Sequence, residues 1–412
     1  MADVVVIGAG LAGLACAGDL TAAGLDVHLL EASDAVGGRM RTDVTDGFRL
    51  DRGFQVFNTS YPQVKARVRL RELRLRPFTP GVLLHTPRGR LRFTDPTRRP
   101  RESGDLVTGR LAGAHDLAAL GLLSARDLLT PPRLIRRAPD HTTLTALADA
   151  GISADLVETL FRPFLAGVFL EDELETSSRF FHLVWRSMLR GTLCLPAYGI
   201  GAVPAQLAAD LPTGTVRLET PVQALTDEGV LLSDGREEGA AAVVVATGPG
   251  AAVDLLPGLA VPPSRSVTTY YHAAPTAPLA EPTLLTDTGR RVLNTVVLSQ
   301  AAPTYSPDRR ALVSTSVLGT SGVPDEAQLR GTLAELYDTD TSGWEPVGEY
   351  RVEQALPAMP PPLLLSRGTR FAPRRYVCGD HRATGSVQGA LASGARAARE
   401  LLADLRGSGR DV

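Results

Sequence analysis

Val4 to Ile7 is a short β-branched apolar run, long enough for one buried strand. Small apolar residues follow at helical spacing as far as Gly24, which suits a helix C-cap. Asp26 to Leu30 predicts a second strand, and Phe48 to Phe57 alternates like a strand entering a glycine approach. Leu117 to Leu129 is apolar with a helical period and is closed by Pro131-Pro132. The Gly199–Pro204 turn opens a helix through Leu211, and Val216–Leu225 with Gly229–Leu232 predicts a hairpin. Ala240 to Ala246 is uninterrupted and apolar, as a strand buried on both faces should be. Further on, proline-rich connections separate strands at Val267–Tyr271, Val292–Leu298 and Ala311–Leu318, with a helix near Asp325–Tyr337. Arg375–Cys378 is a last strand, and Ser386–Leu405 a long helix whose first half is built of small residues.

At 412 residues the chain has room for two domains and a sizeable core. A hydrophobic share of 44% and a charged share of 21% are ordinary for a soluble globular protein. The net charge of −2 gives no overall field for nucleic acid. Cys16, Cys194 and Cys378 are scattered and odd in number, against a disulfide framework or a zinc site. With a strand beginning at residue 4 there is no place for a signal peptide, so a cytoplasmic protein is expected. Arginine carries nearly all the positive charge, Lys65 being the only lysine. From Lys65 to Arg101 twelve basic residues stand against Glu72 and Asp95. That stretch is either a solvated face or a patch for anionic headgroups or a carboxylated substrate. Leu117–Leu129 with Arg133, Arg136 and Arg137 is either a core helix or a segment at a membrane surface.

The chemistry starts at Gly8-Ala9-Gly10-Leu11-Ala12-Gly13, set between the first strand and the first helix. This is the dinucleotide fingerprint: Gly8 allows the turn, Gly10 lets backbone approach a pyrophosphate, and Gly13 lets helix and strand pack closely. The helix N-terminus offers its N–H groups to the phosphates. Glu31, 18 residues after Gly13, ends the second strand where a carboxylate can take both ribose hydroxyls. Gly37-Gly38-Arg39 suits a loop around a phosphate, with Arg39 or Arg41 giving charge-assisted bonds. The aromatics Phe161, Phe164, Phe169, Phe180, Phe181, Trp185 and Tyr198 could line an apolar pocket or fill a helical core.

These segments resemble the flavin-dependent amine oxidase and phytoene desaturase superfamily, which includes protoporphyrinogen oxidase. The resemblance rests on the fingerprint, on Gly37-Gly38-Arg39 with Thr42, and on Asp51-Arg52-Gly53. It extends to Ala246-Thr247-Gly248 and to Gly379-Asp380 followed by Gly389-Ala390, in the family order. It implies an α/β fold with a Rossmann-like FAD-binding domain (1–80, 200–262 and 370–412) and an inserted α+β substrate domain (81–199 and 263–369). FAD would be held noncovalently by Gly8, Gly10, Gly13, Glu31, Gly38, Arg39, Gly53 and Phe54. Val222 would hold adenine through its backbone, Asp380 the ribityl chain, and Val387 would face the flavin pyrimidine edge. His381, beside Asp380, is the candidate acid–base residue.

Phe161–Phe164 and Arg179–Phe181 look closest to the desaturase-like branch. The family's amine oxidases place a lysine, through water, beside the flavin, and an aromatic residue before the final helix. Here Lys65 lies in another region and Thr384-Gly385-Ser386 precedes the helix. The expected function is therefore desaturation or isomerisation of a bulky apolar, isoprenoid-like substrate. The alternatives are an amine or amino-acid oxidase and a non-catalytic flavin-binding chaperone. The expected partners are a small apolar substrate and a peripheral membrane contact, with no nucleic acid.

Overall fold

Two large sheets organise the chain, seen in a computed structural model that describes residues 2–95 and 98–408. The first has eight strands, and its parallel core is assembled from both chain ends. Val216–Arg217, Val27–Leu30, Ala2–Ile7, Glu237–Val245 and Arg375–Val377 lie side by side in that order. Val4 pairs with Val27 on one side and with Ala242 on the other. Both faces are covered, which is why these strands read as apolar runs and why Val4, Val5 and Val6 are fully buried.

Helices Leu11–Ala22 and Val387–Ser408 cover one face. Their small residues allow backbone contact: a Cβ on Gly394 would lie 2.0 Å from the Ala12 carbonyl oxygen. The predicted hairpin is corrected at its first arm. Val216–Arg217 joins the parallel edge beside Leu29 and Leu30, and only Val222–Thr226 pairs antiparallel with Gly229–Leu232. Between them Glu219 takes a left-handed φ of 50° and Pro221 has no N–H to donate, so no single strand can pass through.

The second sheet runs Glu345–Pro357, Ser264–Ala274, Ala311–Leu318, Asn294–Val297, Leu285–Asp287, Gly81–Thr86, Gly89–Thr94. Its central strands alternate sides. Tyr270, Val297 and Val313 meet helix Glu326–Tyr337, which opens on a capping box of Asp325 and Gln328. Tyr271, Val296 and Leu312 face the other way, toward helices Ala114–Leu129, Arg162–Phe169 and Ser178–Arg190.

Those helices decide the reading of the aromatic segment. Phe161, Phe181 and Trp185 pack on one another with ring centroids 5.6–6.4 Å apart, and Phe169 meets Phe180 at 5.8 Å. All five are buried, so they form a core, not a tunnel wall. Tyr198 is 48% exposed under Arg49 and Arg74. The Phe48–Phe57 stretch is also two pieces. Phe48–Asp51 pairs with Thr42–Thr45, Phe57 pairs with Cys194, and the chain between is irregular around Gly53 at φ 83°.

Candidate active site

The site begins at the C-terminal edge of the parallel strands, where Ile7 gives way to the glycine turn. Gly8 has a φ of 100°, and Gly13 has no room for a side chain, because a Cβ there would lie 1.9 Å from the Gly8 carbonyl oxygen. Gly10 differs: a Cβ there would meet nothing within 4 Å. It stands at the N-cap of helix Leu11–Ala22, and no side chain caps that helix. The Gly37 N–H donates to the Ala9 carbonyl at 2.8 Å and forms a bridge with Gly10, so the Gly37-Gly38 loop docks on the fingerprint. The result is an open backbone surface at a helix N-terminus, with local positive potential and free N–H direction for an anion.

Glu31 is fixed beside it. One carboxylate oxygen accepts the Ala9 N–H at 2.7 Å, and the other accepts the Ser33 N–H at 3.0 Å and hydroxyl at 2.7 Å. The Thr220 N–H donates to the Glu31 carbonyl at 2.8 Å and the Glu219 N–H to the Ser33 carbonyl at 3.0 Å. These bonds bring the Pro221-Val222 step alongside Glu31, with Val222 opposite Leu232 in the small antiparallel ladder.

The second cluster is centred on Arg39. Its guanidinium pairs with Asp380 at 2.6 Å and donates to the Ala355 carbonyl, on strand Glu345–Pro357, at 2.7 Å. Burial alone would lower the Arg39 pKa; the Asp380 carboxylate raises it above the ordinary arginine value. The Gln55 amide donates to the Arg39 carbonyl at 2.7 Å, and the Phe54 N–H donates to the Thr269 hydroxyl at 3.3 Å. Gly53, Phe54, Arg39 and Asp380 thus lie where the two sheets meet. Ser386 caps the final helix by accepting the Gly389 N–H at 3.0 Å, and Val387 is its first residue.

His381 is buried beneath the Gly379 backbone: a Cβ on Gly379 would lie 2.5 Å from the imidazole. Neither ring nitrogen has a hydrogen-bond partner among the described residues. Burial pushes its pKa down to about 4, so the ring is neutral near pH 7. Lys65 is exposed on helix Pro62–Arg67.

Sequence reasoning missed the role of Asp51. Its buried carboxylate accepts the Thr42 hydroxyl at 2.6 Å, the Ile200 N–H at 2.9 Å and the Tyr305 hydroxyl at 2.9 Å. Its carbonyl accepts the Tyr271 hydroxyl at 2.7 Å. One residue therefore ties the Phe48–Asp51 strand to the turn before helix Ala202–Ala209 and to the second sheet. Burial raises its pKa to about 6, against the lowering by these donors. The only sequence signal was its place directly before Arg52-Gly53.

With this geometry in hand, comparison with known proteins is decisive. Residues 11–402 match the family described as flavin containing amine oxidoreductase. The chain belongs to the flavin containing amine oxidoreductase family. The family is flavin-containing, which assigns the chain a flavin cofactor. Its residues fit FAD: the uncapped helix N-terminus and the open side of Gly10 suit the pyrophosphate, Glu31 a ribose and Asp380 a polyol. A hydroxysqualene dehydroxylase of Sinorhizobium fredii is 28% identical over 279 residues. That match covers 63% of this chain and 65% of the relative, just under two thirds of its length. A putrescine oxidase of Kocuria rosea is 47% identical over 66 residues, 16% of this chain and 14% of the relative. The fold matches a putrescine oxidase structure with a TM-score of 0.70 at 20% identity, over 98% of this chain and 99% of that one. Within the flavin containing amine oxidoreductases, then, sequence similarity reaches both lipid-directed and amine-directed members.

Proposed function

We propose that this family member acts on a bulky apolar, isoprenoid-like substrate, by desaturation or isomerisation, and not on a primary amine. One observation carries the reading. The face of strand Ser264–Ala274 that meets Asp51 and Phe54 presents Val267, Thr269 and Tyr271, and no ammonium group. The family's amine oxidases place a lysine on a substrate-domain strand; Lys65, the sole lysine here, is exposed on helix Pro62–Arg67. Half-buried apolar side chains, Phe54, Val56, Phe164, Val352 and Leu356, stand alongside the polar Arg39 and Gln55. The 279-residue match to a hydroxysqualene dehydroxylase supports an apolar substrate of this type.

When bound, FAD supplies a two-electron acceptor for a hydride leaving a substrate carbon. The chain's residues hold, orient and keep water out. Gly10 and the helix Leu11–Ala22 N-terminus meet the pyrophosphate, Glu31 the adenosine ribose, and Asp380, fixed by Arg39, the ribityl chain. The N-terminal N–H groups of helix Val387–Ser408 favour negative charge on the pyrimidine edge. Phe54, held by Thr269 and set edge-on to Phe78 at 6.1 Å, gives the apolar wall against which a hydrocarbon can lie. His381, beside Asp380, is the candidate acid–base residue; its burial disfavours the protonated ring and keeps it neutral, so it is a weak proton acceptor as it stands.

The amine-oxidase alternative is favoured by the putrescine oxidase matches, one of them over the whole fold. Mass spectrometry of reactions with extracted isoprenoids, and a peroxide assay with putrescine, separate the two. A new double bond or an isomerised product supports the proposal. Peroxide from putrescine, with the isoprenoids unchanged, would discard it.

A further inference from the structure

We infer that helix Ala114–Leu129 and the Pro132–Ile135 turn form a docking surface for an anionic lipid bilayer. Both faces of the helix carry apolar residues. Its inner face, with Ala119, Leu120 and Leu123, packs into the core of the helical layer. Its outer face carries Ala114, Ala118, Leu122, Ala125 and Leu129, all exposed. At about 100° per residue these five positions fall in one stripe on the side opposite the core. Leu122 is 72% exposed, Leu129 82%, and Leu134, on the next turn, 51%. Three exposed leucines on one edge are costly in water and need a cover.

Charge chooses the cover. Between Gly113 and Ala138 the only acids are Asp116 and Asp127, and both are buried. Asp116 accepts from the Ser153 N–H at 2.8 Å and hydroxyl at 2.7 Å, and Asp127 pairs with His182 at 2.8 Å. The four arginines of the same segment, Arg126, Arg133, Arg136 and Arg137, are all exposed. Further arginines stand close by. Arg186 donates to the Asp127 and Leu128 carbonyls, Arg190 to the Leu128 carbonyl at 3.5 Å, and Arg98 to the Leu189 carbonyl at 2.6 Å. Arg126 pairs with Asp127 at 3.2 Å and Arg98 with Asp95 at 3.3 Å. The exposed leucines flanked by Arg133, Arg136 and Arg137, with both acids of the segment turned inward, therefore match a bilayer interface with anionic headgroups. Among the described residues no helix is long and apolar enough to cross a membrane, so the contact is on the surface. It goes beyond the proposed substrate and does not depend on it.

The test is co-sedimentation of the purified holoprotein with vesicles of equal parts phosphatidylglycerol and phosphatidylcholine, against phosphatidylcholine alone. We expect binding to the anionic vesicles that weakens with added salt. The Leu122→Gln/Leu129→Gln/Leu134→Gln variant should bind at least about tenfold more weakly, given the free energy of burying even one leucine. Arg133→Gln/Arg136→Gln/Arg137→Gln should lose about fivefold per arginine. Both variants change exposed side chains, so thermal unfolding and flavin content should match the parent. Failure to bind anionic vesicles at low salt overturns the inference, as does binding unchanged in both variants. So does a concentration-dependent dimer that the leucine variant abolishes, since the face would then serve a second copy of the chain.

Discussion

Gly10 and Gly13 are three residues apart in one motif, yet the structure assigns them opposite sensitivities to an added methyl group. Gly10 has φ −71° and ψ 177°, an extended conformation open to any residue, and a Cβ there meets nothing within 4 Å. Gly10→Ala should therefore leave the flavin-free protein within about 0.5 kcal/mol of the parent, or gain up to ~1 kcal/mol by restricting the unfolded chain. Bound FAD would feel the methyl directly. Displacing the pyrophosphate by the width of that group removes one or two N–H bonds to a charged partner, each worth about 1.5–3 kcal/mol, so affinity should fall roughly ten- to a thousandfold or more. In Gly13→Ala the same atom would stand 1.9 Å from the Gly8 carbonyl oxygen, and helix and strand must separate by more than an ångström. Overpacking of this kind costs about 1–3 kcal/mol or more with no ligand present. The assay pairs urea unfolding of the flavin-free proteins, followed by circular dichroism, with titration of FAD fluorescence. A destabilised Gly10→Ala protein, or one with unchanged FAD affinity, would refute the placement of the pyrophosphate.

Glu31→Ala removes the acceptor for Ala9 and Ser33 and, on the proposed placement, the one for the ribose. FAD affinity should fall about five- to a hundredfold, from charged bonds of ~1–3 kcal/mol, and an unchanged dissociation constant in the same titration would place the ribose elsewhere. Asp51 has a folded pKa of about 6 against an ordinary value of 3.8, so its protonated form favours the fold. That contribution is full below about pH 3.8 and lost as pH rises through about 6, a total of roughly 3 kcal/mol. Asp51→Asn, which cannot ionise, should gain stability relative to the parent by about that amount between pH 4 and 7; a constant difference in urea midpoints across the range would disprove the assignment.

How much was legible depended on whether the constraint was local. The fingerprint was readable because Gly13 is forced by a backbone contact five residues away and Glu31 by the end of the next strand. The helix Glu326–Tyr337 was readable because its capping box lies within four consecutive residues. The Asp51 cluster was not: its partners Ile200 and Tyr305 lie 149 and 254 residues further along the chain. The aromatic segment was ambiguous in principle, since Phe161 and Trp185 would be chosen equally by a pocket wall or by the core they occupy. Strand Glu345–Pro357 passed unnoticed because glycine and charged side chains interrupt its alternation and most of its positions are exposed or half-buried. It nevertheless supplies the Ala355 carbonyl that fixes Arg39. The lone lysine was legible, because composition alone limits what can stand beside the flavin.

That last point is tested most directly by anaerobic mixing of the FAD-loaded protein with two panels of compounds, followed at the oxidised-flavin absorbance band. One panel holds long conjugated or polycyclic isoprenoids in detergent, the other primary amines including putrescine. With Val267, Thr269 and Tyr271 on the strand face beside Phe54 and no ammonium among them, an isoprenoid should bleach the band and the amines should leave it unchanged. Rapid bleaching by an amine, with every isoprenoid inert, would contradict the proposed substrate class.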